Sequence, residues 1–114
     1  MSNVTPFIPP VRVPQQVGFD RLELNAILNV YGRMVAEGEW RDYAITMDAE
    51  AAVFSAFRRA AEHPEAQIVK RPSLRQRQGM YALVGVGGAV LKRGHELSSV
   101  LAPLERRLLK LVNA

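Results

Sequence analysis

The stretch MYALVGVGGAVLK, residues 80–92, predicts a β-hairpin. Residues 80–86 are almost entirely apolar, as expected of a strand that is buried in a core. Gly87 and Gly88 follow, and a pair of glycines supplies the positive φ angles that a two-residue hairpin turn needs. Residues 89–92 then form the returning strand, so this part of the chain belongs to an antiparallel sheet.

Two earlier segments also have the composition of strands. Residues 43–47 alternate between large apolar side chains and smaller or polar ones, which is typical of a half-buried strand, and residues 48–50 form the turn after it. Residues 66–71 form a short strand around Ile68 and Val69 that ends at Pro72, because proline lacks the N–H group that a strand ladder needs. The chain therefore contains at least four strands.

Residues 51–61 fit both a helix and a strand. The segment is rich in alanine, which is the best helix former, and Asp48 is a suitable cap. The same residues also alternate well enough for a strand, with Val53 and Phe57 facing inward and Ser55 between them. The local pattern leaves both structures open.

An amphipathic helix precedes the strands. Asp20 and Glu23 have the spacing of a capping box, in which each side chain accepts a hydrogen bond from the other residue's backbone N–H. Between residues 24 and 35, apolar side chains recur at three- and four-residue steps and so share one face. Gly38 is a natural stop, and we expect Trp40 to fold back over the end of the helix.

A second amphipathic helix follows the hairpin, and its leucines recur at steps of four and three residues. The seam covers only two heptads, whereas a coiled coil is indicated by three to four, so we predict that these leucines pack in the core and do not form a dimer. Pro103 interrupts the seam and predicts a kink, or a second helix that begins there. The seam consists of Leu97, Leu101, Leu104, Leu108 and Leu111.

The 114 residues suffice for one domain, which we place at residues 19–114. Its predicted class is α+β: an N-terminal helix, a four- or five-stranded antiparallel sheet of hairpins, and a C-terminal helix. Residues 1–18 contain four prolines and no helical period, and they predict an extended tail. The chain has no cysteine, no apolar run long enough to span a membrane and no secretory signal, so we expect a cytoplasmic protein.

The net charge of +4 is unevenly distributed along the chain. Residues 20–50 contain seven acidic and three basic side chains, a net charge of −4, whereas residues 51–95 contain eight basic and two acidic ones, a net charge of +6. The densest basic cluster is KRPSLRQR, residues 70–77. Such a region raises the local concentration of anionic partners.

We predict that three clusters of basic residues, at positions 58–59, 70–77 and 92–93, form one continuous anion-binding face. This face is directed away from the acidic first helix. Cations of this kind neutralise backbone phosphates in a salt-dependent way that does not read sequence. Residues 92–95 also mark a strand-to-helix junction, where the unpaired amides of a helix N-terminus favour anions and a protonated histidine can donate a hydrogen bond. The predicted contacts are Arg58, Arg59, Lys70, Arg71, Arg75, Arg77, Lys92, Arg93 and His95.

The partner predicted for this face is a polyanion, and RNA is favoured. No aromatic residue interrupts the basic cluster, which argues against a stacking platform for single strands. Arginine pairs equally well with carboxylates, so the alternative is an accessory or adaptor subunit that binds an acidic protein surface within a larger complex.

Motifs for catalysis are missing from the sequence. The two histidines are far apart and there is no cysteine, so a site with three or four metal ligands is not expected. The chain has neither a nucleophile elbow nor a glycine-rich phosphate loop. We therefore expect a binding domain without catalytic residues, metal or cofactor.

A family resemblance is carried by residues 19–35 (FDRLELNAILNVYGRMV), 38–45 (GEWRDYAI), 53–55, 57–60, 70–72, 77–79, 88 and 91–95. These stretches resemble a small alphaproteobacterial family known only as a domain of unknown function, over roughly Phe19 to Leu104. Members of that family are less alanine-rich around residues 53–55, so the resemblance favours a strand in residues 51–61. It implies a bacterial, non-secreted protein and brings no activity, cofactor or catalytic residue.

Overall fold

The computed structural model describes residues 15–59 and 63–114. Its helices and strands follow one another as α1 (Arg21–Ala36), β1 (Asp42–Met47), β2 (Ala52–Phe57), β3 (Ala66–Lys70), β4 (Tyr81–Val84), β5 (Val90–Gly94) and α2 (Leu97–Val112). The predicted α+β class is confirmed, with five strands in the sheet. Most of the predicted tail, residues 1–14, lies outside the described residues. Neither of the described helices is long and apolar enough to cross a membrane.

The five strands lie side by side in chain order, and every neighbouring pair is antiparallel. Successive strands therefore run in opposite directions, and their connections alternate between the two ends of the sheet. Residues 71–80 and the residues after Gly94 share one end, which we call the β3–β4 end. Residues 58–59 and 63–65 lie at the other, which we call the β2–β3 end. This alternation decides which charged residues can meet.

Both helices pack on one face of the sheet. The largest fully buried side chains of the sheet are Phe54, Ile68 and Leu83, which stand opposite one another in a single row across β2, β3 and β4. Helix α1 contributes Ile27 and Met34 to the same core. The core therefore lies between the helices and the central three strands.

The leucine seam of α2 lies in this core, as predicted. Three of its leucines are buried, and Leu97 and Leu111 pack against them from the two ends. The predicted second helix at Pro103 is wrong, because α2 is one helix throughout. The carbonyl group that a proline leaves without a partner belongs to Ser99, and Ser99 is exposed, so water can bond it.

The strand predicted within residues 51–61 is confirmed over Ala52–Phe57, which form β2, but its predicted inward face is wrong. Residues 60–61 lie outside the described residues. Phe54 and Ala56 lie in the core, and Val53 and Phe57 lie on the opposite face. Both sets of side chains are apolar, so alternation alone does not identify the buried face. The alanines do not form a helix because β2 pairs with strands on both sides, and this pairing outweighs their local propensity.

The first helix begins at the predicted capping box. The Asp20 N–H donates to Glu23 Oε1 at 2.8 Å, and the Glu23 N–H donates to Asp20 Oδ1 at 2.8 Å. The helix ends at Ala36, two residues before Gly38. Both boundaries are therefore set by the local signals in the sequence.

A cluster of aromatic rings joins α1 to the first two strands. Tyr31 stacks on Tyr43 with 5.0 Å between ring centroids and meets Phe54 edge-on at 5.8 Å. Trp40 is 3% exposed, and its ring lies 6.1 Å from that of Tyr31. Stacked and edge-on pairs of this kind stabilise beyond simple burial, and Trp40 folds back over the helix as expected.

The loop of the hairpin between β4 and β5 is longer than the two residues that the sequence predicted. Gly87 and Gly88 adopt the expected positive φ angles of 80° and 88°. The loop nevertheless spans residues 85–89, because the Gly85 N–H donates to the carbonyl of Ala89 at 2.8 Å. Strand β5 accordingly starts at Val90 and continues to Gly94, beyond the predicted limit at residue 92.

Replacing Phe54 with alanine should destabilise the fold by about 4 kcal/mol, because the cavity forms where no neighbour can collapse into it. Phe54→Leu retains most of the volume and should cost about 1 kcal/mol. Val86→Ala, at a side chain that is 66% exposed, is the control and should change little. Urea unfolding measures all three, and equal losses for Phe54→Ala and Val86→Ala would contradict this core.

Candidate functional site

The nine basic residues predicted to bind an anion do not share one face. Arg58 and Arg59 follow β2 and lie at the β2–β3 end, whereas residues 71–77 follow β3 and lie at the β3–β4 end. Because β2 and β3 are antiparallel, the residues after each strand emerge on opposite sides of the domain. The prediction of one continuous face is therefore wrong.

Arg58 is paired at its own end of the sheet. Its guanidinium lies 3.4 Å from Glu39 Oε1, and Arg107 of α2 donates to the same oxygen. The Glu39 side chain is 14% exposed. One carboxylate thus accepts from two arginines, and the length of the sheet separates Arg58 and Arg59 from the predicted contacts at the β3–β4 end.

Lys70 faces the acidic helix, contrary to the prediction. Its Nζ donates to Glu23 Oε1 at 2.7 Å and to the carbonyl of Gly18 at 2.9 Å. In β3, Lys70 follows Ile68 by two residues, so the two side chains point to the same, helix-covered face. With 14% of its side chain exposed, Lys70 belongs to the interior.

The Glu23 carboxylate uses both of its oxygens. Oε1 accepts from Lys70 Nζ and from the Asp20 N–H, and Oε2 accepts from the hydroxyl of Tyr81. We call these four residues (Asp20, Glu23, Lys70 and Tyr81) the Glu23 network. It connects the first turn of α1 to neighbouring strands, since Lys70 and Tyr81 are directly paired between β3 and β4.

The network fixes the protonation states of Glu23 and Tyr81. Burial alone would raise the pKa of Glu23, but the hydrogen bonds from Lys70, Tyr81 and the Asp20 N–H outweigh it and hold the pKa below the ordinary value. Burial, together with the hydrogen bond to this carboxylate, raises the pKa of Tyr81 above its usual value. Glu23 is therefore an anion at neutral pH, and Tyr81 remains a protonated donor.

The other cations gather at the β3–β4 end. The loop of residues 71–80 packs against the end of β5, where a Cβ atom on Gly79 would lie 2.5 Å from the Gly94 carbonyl group. This contact and the φ of +102° explain the glycine at position 79. The loop arginines are thereby brought beside the last residues of β5. We call Arg75, Arg77, Lys92, Arg93 and His95 the basic end.

Within residues 15–59 and 63–114, no carboxylate oxygen lies within 4 Å of the charged nitrogens of Arg75, Arg77, Lys92 or Arg93. The Arg75 guanidinium donates to the sulfur of Met80 at 3.9 Å. Arg71, on the rim, lies 3.5 Å from Glu50, whose side chain is 80% exposed. The basic end therefore keeps its positive charge.

The N-terminus of α2 opens at the same end. Strand β5 finishes at Gly94, and α2 begins three residues later at Leu97. The cap residue Glu96 makes no side-chain hydrogen bond to the first amides of the helix. These amides and the helix dipole add to the positive potential beside His95.

The described residues contain no candidate metal site. Across the described residues, no group of three or more histidine, aspartate and glutamate side chains is placed to hold a metal ion. The acids with well-defined partners, such as Glu23 and Glu39, are already bonded to basic side chains.

A family model described as "Protein of unknown function (DUF2794)" matches residues 17–101. The chain belongs to this family. The match agrees with the resemblance seen in the sequence and covers α1, the whole sheet and the start of α2. No curated protein matches the chain, and no solved structure does.

In this DUF2794 chain, the sequence did not reveal the roles of Glu23 beyond capping or of Tyr81. One available signal was the alternation in β3, which places Lys70 on the same face as the buried Ile68. The capping box already located a carboxylate at the start of α1. Joining the two requires the helix to lie over β3, which is a long-range contact that no local pattern contains.

Replacing Glu23 with glutamine tests the network through its pH dependence. The folded-state pKa of Glu23 lies below its ordinary value of 4.5, so its stabilisation is present above the unfolded-state pKa and is lost as the pH falls through the folded-state pKa. We expect E23Q to lose about 2 kcal/mol of unfolding free energy at pH 7. This deficit should shrink as the pH is lowered through the acid range.

Urea unfolding at a series of pH values measures this difference. The exposed Glu37→Gln, at the other end of α1, is the matched control and should stay within about 0.5 kcal/mol of the wild type throughout. A deficit of E23Q that stays constant or grows on acidification would contradict the assignment of the network.

Proposed function

We propose that this chain is a binding domain, not an enzyme, and that its basic end engages a polyanion, namely RNA. The observation that supports this most strongly is that Arg75, Arg77, Lys92 and Arg93 lie at one end of the sheet, beside a helix N-terminus without a side-chain cap. Among the described residues, none of the four has a carboxylate partner. The proposal drops Arg58, Arg59 and Lys70 from the predicted contacts and leaves Arg71 at the rim.

Some arginines elsewhere on the described surface are paired with acids: Arg33 binds Glu105 through both guanidinium nitrogens at 2.9 and 2.7 Å, and Arg107 binds Glu39. Other cations away from the basic end, such as Arg59 and Arg106, have no carboxylate partner among the described residues, so the lack of a partner does not by itself distinguish the basic end. What distinguishes it is position, because its cations share one end of the sheet with the N-terminus of α2. Positive charge concentrated in this way attracts a ligand that supplies negative charge.

The arrangement suits an extended anion better than a small one. Its cations come from a loop, an edge strand and a strand-to-helix junction, and Lys92 and Arg93 point to opposite sides of β5 because side chains alternate along a strand. They do not converge on one point. Successive phosphates along a nucleic-acid backbone present charges spread in the same way.

Duplex RNA is the nucleic acid that fits best. Single-strand binders combine cations with aromatic rings on which bases stack, and the basic end has no aromatic residue. Duplex RNA is recognised mainly by shape, through phosphate and 2′-hydroxyl contacts. The cytoplasmic location expected for a cysteine-free chain is part of this proposal.

Neutralising Arg75 and Arg77 together should weaken RNA binding about 100-fold at low salt, because two of about four phosphate contacts are lost. For the wild type, the logarithm of the binding constant should fall against the logarithm of salt concentration with a slope of about −3, and R75Q/R77Q should reduce its magnitude by about 2. Fluorescence anisotropy with a labelled RNA duplex of about 16 base pairs measures both quantities.

The control variant is R58Q/R59Q, which removes the same charge from the β2–β3 end. It should leave affinity and slope unchanged. Equal weakening by the two double variants would show binding to net charge alone. Binding of the wild type to an acidic polypeptide but not to RNA would replace RNA with an acidic protein surface, and either outcome contradicts the proposal.

A further inference from the structure

The face of the sheet opposite the helices is apolar. Val53, Phe57, Val69 and Val84 lie on it, and none of them belongs to the core or packs against it. An antiparallel sheet with one free face usually carries polar residues there, whereas strands that are apolar on both sides are typical of sheets covered on both. We call this surface the outer face.

The polar side chains at the centre of the outer face are hydrogen-bonded to each other. The Gln67 side-chain amide donates to Ser55 Oγ at 3.0 Å, so the two polar residues there bond each other. Ser55 is 8% exposed and Ala82 is 3% exposed. Covering this face would therefore bury apolar surface at a small polar cost.

Opposite charges flank the central strand β3, because Glu65 precedes it and Arg71 follows it. The backbone of both residues continues the pairing with the neighbouring strands, so by the alternation of strand side chains the outer row runs Glu65, Gln67, Val69 and Arg71. A second copy stacked in the antiparallel sense places Glu65 of each molecule opposite Arg71 of the other. A parallel stack would instead oppose like charges. Arg71 also contacts Glu50 at 3.5 Å within the same chain. This ion pair is exposed and contributes little to stability.

The size of the outer face suits a dimer. Five strands about 4.8 Å apart and about five residues long, at about 3.3 Å per residue, cover about 400 Å² in projection. With the relief of the side chains included, two such faces would bury on the order of 1,000 Å², the total at which specific interfaces begin. Arg93 lies at a corner of this surface, where interfaces are polar and wet.

We infer that the outer face docks a second copy of this chain, so that two sheets pack face to face in the antiparallel sense with the helices outside. The charges of Glu65 and Arg71, on either side of β3, support a second copy as the partner. They complement the charges of an identical strand only when that strand runs in the opposite direction. In the dimer, the two basic ends point in opposite directions. The inference rests on the outer face and does not depend on RNA binding.

Size-exclusion chromatography with light scattering on the full chain tests the dimer. At about 50 μM, the wild type should have a mass of about 25 kDa, twice the 12.7 kDa of one chain. Val69→Lys should give the monomer with an unchanged circular dichroism spectrum, since Val69 does not pack in the core. Leu109→Lys is the control, because Leu109 is 63% exposed on α2, and it should remain dimeric.

Charge exchange tests the antiparallel arrangement separately. Glu65→Arg and Arg71→Glu should each weaken the dimer, and the double variant should restore it. A monomeric wild type at about 100 μM overturns the proposal, and then another protein or residues 1–14 of the same chain become the candidate cover. A dimer that persists in Val69→Lys, or that is not restored in the double exchange, overturns it equally.

Discussion

The carboxylate of Glu23 joins the first turn of α1 to the sheet, next to the apolar core that Ile27 and Met34 of the same helix enter. Both oxygens are used, by Lys70 and the Asp20 N–H on one side and by Tyr81 on the other. A half-satisfied buried charge would be costly, whereas this one has its partners. Because Lys70 and Tyr81 are paired across β3 and β4, a single side chain fixes where α1 lies over two strands.

Some of the basic residues have a structural role, because they are bonded to buried or half-buried carboxylates. Lys70 compensates Glu23, and Arg58 shares Glu39 with Arg107. Arg75, Arg77, Lys92 and Arg93 have no such partners among the described residues, and the loop that carries the two arginines packs against the end of β5 where Gly79 approaches Gly94. The functional assignment follows from the position of these cations at one end of the sheet, beside the N-terminus of α2, which net charge alone does not contain.

Features set by neighbouring residues could be predicted from the sequence. The capping box at Asp20 and Glu23, the positive φ angles at Gly87 and Gly88 and the core position of the leucine seam all depend on short-range patterns. The buried face of β2 could not, because its residues are apolar on both sides. The prediction of one continuous basic face failed for a related reason. The carboxylate partners of Lys70 and Arg58 are 47 and 19 residues away along the chain. Strand direction alone, however, already places Arg58 and Arg59 opposite residues 71–77.

We propose that RNA binds at the β3–β4 end, where the cations of the basic end lie beside the N-terminus of α2. A titration of isotopically labelled protein with duplex RNA, followed through the backbone amide resonances, locates the binding surface residue by residue. We expect the perturbed amides to cluster in residues 75–79 and 93–99, in the loop, the end of β5 and the first turn of α2. Perturbations centred on Arg58 and Arg59, or spread evenly over the surface, would contradict it.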